Sequence, residues 1–186
     1  MIECCILGPS HLDDILALEG IVLSSLERPD LLRRNTPEMW RVCLLPPHTA
    51  WGVLAEGRLV ALAVLYVPVP GSPEDLASLL KAVPRPNGPA ANYKICLVHP
   101  AYRGHGLQCR LGQLLEQEAR RQGITLLCST ASPHNAASIR SLKRLGYRLD
   151  STLTKYGFER NLYVKEVNSE LTNLQTFIPS NLQIEL

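Results

Sequence analysis

Several things are missing from this chain, and each absence removes a class of protein. Neither sign of charge is in excess: 19 Lys and Arg face 17 Asp and Glu, for a net charge of +2. That is too balanced for a nucleic-acid surface and names no electrostatic partner. Six cysteines, Cys4, Cys5, Cys43, Cys96, Cys109 and Cys128, include no CxxC pair, so neither a metal site nor a disulfide framework is expected. Reduced thiols in the cytoplasm are the economical reading. The longest apolar stretch, residues 59–69, is too short to span a bilayer. The start of the sequence lacks the basic region and apolar run of a secretory signal. No membrane partner and a cytoplasmic location are therefore expected. Two nucleotide-binding signatures are absent as well: there is no GxxxxGK[ST] run, and no GxGxxG with an acidic residue about 20 positions further on.

What is present fits one globular domain. The chain has 186 residues, 46% of them hydrophobic, and a domain of that size buries roughly 70% of the surface its unfolded chain exposes. Residues 2–7 form a short apolar run closed by Gly8 and Pro9, a first strand and turn, after which Ser10 can cap a helix. That helix, residues 11–26, carries Leu12, Ile15, Leu16, Leu18, Ile21 and Val22 at helical spacing, with Asp13 and Asp14 in its first turn. Thr36 and Pro37 start a second helix, and Pro46 with Pro47 stop it. Residues 49–55 and 59–67 read as two strands of a hairpin. The proline-rich residues 68–90 read as an insertion near the active site, with Leu76, Leu79, Leu80 and Val83 spaced for one exposed helix. Beyond it come strand 93–99, helix 106–121 and strand 124–130, together a βαβ crossover. Helix 135–145, strands 147–154 and 161–167, and a polar tail, residues 168–186, complete the chain.

The crossover holds the informative loop. VHPAYRGHGL at residues 98–107 joins a strand to a helix through Gly104 and Gly106. Glycines there let backbone amides turn toward a ligand without Cβ obstruction. Those amides lie at a helix start, where unpaired N–H groups and the positive dipole end favour a phosphate or pyrophosphate.

This loop and the amphipathic helix after it resemble the acetyl-CoA-binding motif of GNAT acetyltransferases, in the RGxGLQ form of bacterial members. The family's R/Q-x-x-G-x-G/A pattern falls on Arg103, Gly106 and, at its third position, Gln108, which departs from glycine or alanine. Asn135, Ser138, Ile139, Leu145, Gly146 and Tyr147 resemble a second segment of the family, N-x-x-[AS]-(I/L)…LGF/Y. The likeness covers about residues 2–167. It implies an α/β (α+β) fold, a mixed and mostly antiparallel sheet flanked by helices, with a splayed parallel pair at the cofactor cleft. It implies that Arg103, Gly104, His105, Gly106, Leu107 and Gln108 hold the pyrophosphate of acetyl-CoA. Main-chain groups of Leu97 and Val98, together with Asn135 and Ser138, would meet the pantetheine arm. It further implies a domain at residues 1–167 carrying the insertion, followed by the tail.

Acyl transfer from a thioester to an amine needs a free amine, an oxyanion donor and a proton for the departing thiolate. The family's usual strand glutamate and helix tyrosine are both missing: residues 92–97 hold no carboxylate, and the tyrosine position is Leu142. Tyr156, in a KYGFER segment similar to one found in some bacterial members, is the candidate general acid. His99, His105 and His134 lie in or beside the motifs but read better as structural or solvent-facing. Cys96 reads as a core cysteine and not a nucleophile. The expected function is transfer of acetyl from acetyl-CoA to a primary amine of a small molecule or peptide, by direct attack in a ternary complex. The alternative is an acyl-CoA sensor with weak catalysis. A possible homodimer clasp through Leu171, Leu174, Phe177 and Ile178 is a third reading.

Overall fold

The computed structural model describes residues 2–83 and 88–167. Seven strands, β1 (Ile2–Leu7), β2 (Thr49–Ala55), β3 (Arg58–Tyr66), β4 (Ala90–Val98), β5 (Leu126–Ala131), β6 (Arg148–Lys155) and β7 (Phe158–Glu166), form one sheet in the order β1-β2-β3-β4-β5-β7-β6. All neighbours are antiparallel except β4 and β5. Helices α1 (Leu12–Ser24) and α2 (Pro37–Cys43) cover one face, and α3 (Leu107–Arg121) with α4 (Ala136–Arg144) cover the other.

The period of two along β3 shows how the layers are held. Ala61, Ala63 and Leu65 pack into the cluster under α3, whereas Leu62 and Val64 pack under α1 and α2. Every residue from Leu59 to Leu65 is buried, so β3 reads as a continuous apolar run because it is covered on both sides. Leu107, Leu111, Leu115 and Ala119 repeat every four residues along α3 and are 3%, 0%, 1% and 0% exposed, which gives the helix one apolar face against the sheet. Gly112 lets α4 approach: a Cβ there would lie 2.3 Å from Leu145 Cδ1. On the other face, Glu19 is 3% exposed and accepts hydrogen bonds from the Asn35 amide (2.9 Å) and Trp40 Nε1 (3.1 Å). The link between α1 and α2 is thereby tied to α1.

Three local expectations need correction. Ser10 caps nothing: a 3-10 turn, Pro9–His11, precedes α1, whose first turn has no side-chain cap. Thr36 does cap α2, its Oγ1 accepting from the Met39 amide at 3.2 Å, but the helix ends at Cys43, before the prolines. The exposed helix of the insertion is only a 3-10 turn, Leu76–Leu79, with Leu76 and Ala77 buried. The apolar side chains spaced there pack on Leu126, Cys128, Leu162 and Val164 of the sheet. Asp150 on β6 fastens the same segment by accepting from the amides of Lys81, Ala82 and Val83 at 2.9, 2.9 and 3.0 Å. The C-terminal clasp lies outside the described residues.

Candidate active site

The sheet opens at its single parallel pair. β4 and β5 pair only through Ala90, Ala91 and Asn92, and Ser129 Oγ reaches the Tyr93 carbonyl at 3.0 Å just beyond. Further along, the main chain of β4 has no strand partner on that side. The divergence coincides with a bulge: Ala63 pairs with Cys96 and Val64 with Lys94, leaving Ile95 as the extra residue at φ 50°. A β-branched residue held there costs on the order of 1–3 kcal/mol of backbone strain, and a bulge bends its strand. The opening is a cleft of about 630 Å³ running from the N-terminus of α3 to the β6–β7 turn.

One end of the cleft is built for an anion. Gly104 and Gly106 have φ of 87° and 73°, and Gly106 is the N-cap of α3 with no side chain capping it. Among the described residues, the amides from Gly104 to Gln108 donate to no protein acceptor. Unpaired donors at the positive end of a 15-residue helix form a cradle for phosphate oxygens. Gln108, the residue that departs from the motif, sends its side chain sideways, Nε2 donating to Ser138 Oγ at 3.2 Å, and its main-chain carbonyl accepts from Tyr93 Oη at 3.1 Å. Asn135 Oδ1 caps α4 by accepting from the Ser138 amide at 3.0 Å. Arg103 Nη2 donates to Ser25 Oγ at 2.7 Å, fastening the loop to the end of α1.

Of the ten residues expected at the cofactor, Val98, Arg103, Gly104, Gly106, Leu107, Gln108, Asn135 and Ser138 line this one cleft. Leu97 and His105 do not: the Leu97 side chain is buried under α1 and α2, and His105 is exposed. Among the described residues no histidine lines the cleft. His99 Nδ1 instead accepts from the Ala101 amide at 3.2 Å. Cys96 does line it, but burial pushes its thiol up to about 12, which leaves almost no thiolate at neutral pH.

The other end carries a cluster that sequence reading missed. Glu74, in the insertion, has its carbonyl held by Asn92 Nδ2 at 2.7 Å and its carboxylate bonded to Lys94 of β4. Tyr156 Oη donates to Glu74 Oε2 at 3.0 Å. The Arg33 guanidinium lies 4.0 Å from the centre of the Tyr156 ring and 3.7 Å from Glu74 Oε1. Tyr156 and Gly157 have φ of 57° and 79°, so the β6–β7 connection is a tight two-residue turn that projects the phenol over the insertion. Burial raises the Glu74 carboxyl, but the hydrogen bond and charge of Lys94, with Tyr156 and Arg33, outweigh it and hold the group below the usual carboxylate range. Burial and then the Glu74 charge push the Tyr156 phenol far above its ordinary value. Glu74 is thus an anion and Tyr156 a neutral donor. Among the described residues Glu74 Oε1 accepts no hydrogen bond, since Arg33 stands beyond 3.5 Å. The one local signal was the Ser72-Pro73-Glu74-Asp75 string, which reads as a helix start.

Comparison with known proteins bears on this geometry. The profile of the acetyltransferase (GNAT) family matches residues 21–147. Among solved structures, the ribosomal-protein-S18-alanine N-acetyltransferase from Escherichia coli superposes with a TM-score of 0.69 at 16% identity, covering 95% of this chain and 100% of that one. An N-acetyltransferase from Staphylococcus aureus Mu50 gives 0.69 at 16% identity, covering 90% and 99%. The Salmonella typhimurium protein yncA, solved with its cofactor acetyl-CoA, gives 0.65 at 17% identity, covering 94% and 99%. At such identities the likeness concerns the fold. No curated protein matches the chain significantly.

Proposed function

The chain belongs to the acetyltransferase (GNAT) family, and on that premise we propose that it moves the acetyl group of acetyl-CoA directly to a primary amine in a ternary complex. The observation that carries this reading is the joining of an uncapped α3 N-terminus to the gap between β4 and β5 in a single cleft. The residues present fit the co-substrate. Free amides from Gly104 to Gln108 suit its pyrophosphate, the unpaired edge of β4 at Leu97 and Val98 suits the amides of an extended arm as an added strand would, and Asn135 and Ser138 flank that path. Bound there, acetyl-CoA would supply the thioester carbonyl that the amine attacks.

The chain's own groups then have defined work. Glu74 Oε1 holds the incoming ammonium, which gives up two protons: one passes to water, and Glu74 accepts the other as the C–N bond forms and the C–S bond breaks. Tyr156 Oη, hydrogen-bonded to Glu74 Oε2, completes a path on which a proton leaves the phenol toward the departing sulfur while Glu74 returns one to the phenolic oxygen. No residue gains or loses a proton overall. A phenol with a raised pKa is a weak acid by itself, so the coupling to Glu74 is what makes Tyr156 usable.

The sensor alternative rested on a missing strand glutamate and a missing helix tyrosine; Glu74 and Tyr156 offer a carboxylate and a phenol from elsewhere in the chain. We place the reaction in the cytoplasm, with one catalytic unit over residues 1–167; six free cysteines support a reducing compartment. The test is thiol release from acetyl-CoA across a panel of amines. Intersecting double-reciprocal plots and an unmodified enzyme mass after incubation with acetyl-CoA alone are expected. Parallel plots with an acetylated enzyme refute direct transfer.

A further inference from the structure

The acceptor end has an unusual charge balance. Among the described residues Glu74 is the only acidic side chain lining the cleft; Arg33 and Lys94 stand beside it, and Arg160 lines the same cleft. Lys94 and, at 3.7 Å, Arg33 share the single charge of Glu74; Arg160 forms no ion pair with a carboxylate of the cleft among the described residues. Arg160 is the sharper case. It is 4% exposed, yet its only hydrogen bond among the described residues runs from Nη1 to the main-chain carbonyl of Asp30. The Asp30 carboxylate is bonded to Arg28 Nε and Ser132 Oγ at 2.8 Å each and, although its charge is felt at Arg160, forms no ion pair with it. A guanidinium has five N–H donors in a planar fork, and a buried one without an ionic partner is unfavourable. Such a group is matched by an anion that arrives with the ligand, and a carboxylate fits its fork with two parallel bonds.

Resting on the acetyl-transfer reading above, we propose that the acceptor is a small amine carrying its own carboxylate, the amine held at Glu74 Oε1 and the carboxylate at Arg160, with Arg33 beside it. A zwitterion adds one charge of each sign opposite its complement, whereas a polyamine brings only positive charge to a site already cationic. Size is set by the walls: the Arg33–Tyr156 stack and the Tyr156–Glu74 hydrogen bond join the α1–α2 connection, the insertion and the β6–β7 turn around this end. A small molecule fits within that ring better than a running peptide.

The test is calorimetric titration of protein saturated with CoA, using the standard α-amino acids, each against its α-carboxamide, with phosphoethanolamine as the phosphate arm and spermidine as the polycation. At least one amino acid is expected to bind about 10- to 100-fold more tightly than its amide, the range of a charge-assisted hydrogen bond, and the order of kcat/KM in thiol release should follow. Arg160→Met should abolish that preference while leaving CoA binding intact, and Arg160→Lys should restore only part of it. The exposed Arg33→Met, which carries little folding risk, should weaken the preference by a smaller factor. Amides binding as well as acids, tightest binding by spermidine or phosphoethanolamine, or no binding by any amino acid in the presence of CoA would each overturn the proposal. Failure to bind CoA at all would instead count against the acetyl-transfer reading itself.

Discussion

Replacing Glu74 by glutamine separates the catalytic role of that residue from its structural one. The side chains of Lys94 and Glu74 are 10% and 18% exposed, so the pair is largely removed from water. Removing one partner of such a pair costs about 3–5 kcal/mol when the other is left charged and buried. Glutamine keeps an acceptor for Tyr156 and Lys94, and Lys94 retains the Tyr66 ring at 4.4 Å, which brings the expected loss to about 2–3 kcal/mol. For a protein of this length that corresponds to a fall in Tm of roughly 4–12 °C. Loss of the proton acceptor should lower kcat by about 10²- to 10⁴-fold. The Kd for acetyl-CoA should not change, because the cradle at Gly104 and Gly106 lies at the other end of the cleft. Thermal melting, calorimetry with acetyl-CoA and thiol release measure the three quantities independently. A variant that melts lower but turns over at the wild-type rate would show that Glu74 only holds the insertion in place.

The pH profile gives a second check. The folded Glu74 carboxyl is held below its ordinary value, so its ionised form stabilises the fold above the unfolded pKa of about 4.3, and that stability disappears as pH falls through the lower folded value. Ionisation of Glu74 should therefore place no acid limb near neutrality in kcat/KM; a limb near pH 6–7 that vanishes in Glu74→Gln would contradict the assignment. Gly112→Ala should cost about 1–3 kcal/mol by forcing Leu145 away from α3, seen in urea midpoints; an unchanged midpoint would show that the helices shift freely. Asp150→Ala removes the acceptor of three amides, so hydrogen exchange at residues 81–83 should quicken and kcat/KM for the amine should fall, with acetyl-CoA affinity preserved. Unaltered exchange there would show that the apolar packing of Leu76 and Ala77 alone seats the insertion.

The glycine-loop end of the cleft was legible because its geometry is local. A strand, two glycines at positive φ and a helix lie consecutively between residues 90 and 121, so the loop that makes the cradle is written as one string. β3 and α3 were legible for the same reason, through periodicity. The acceptor end was not, because it is assembled from three distant segments: Arg33 follows α1, Glu74 sits in the insertion and Tyr156 turns between β6 and β7. Nothing in the spacing of those residues announces that they meet. The insertion shows the limit of pattern reading: Leu76, Leu79 and Leu80 have helical spacing, yet burial against β5 and β7 decided the conformation, and the exposed helix gave way to a single turn. Gln108 shows a different limit, since its place in the motif was evident but not its bond to Ser138.

The central claim is that the amides at the start of α3 hold the pyrophosphate of acetyl-CoA. Calorimetric titration of acetyl-CoA into wild type and Gly106→Pro tests it, with circular dichroism to verify that both are folded. Proline cannot adopt the φ of 73° found at Gly106, so saturable binding by wild type and its loss in the folded variant are predicted. Equal affinity in the two proteins, or no binding by wild type, would contradict the account.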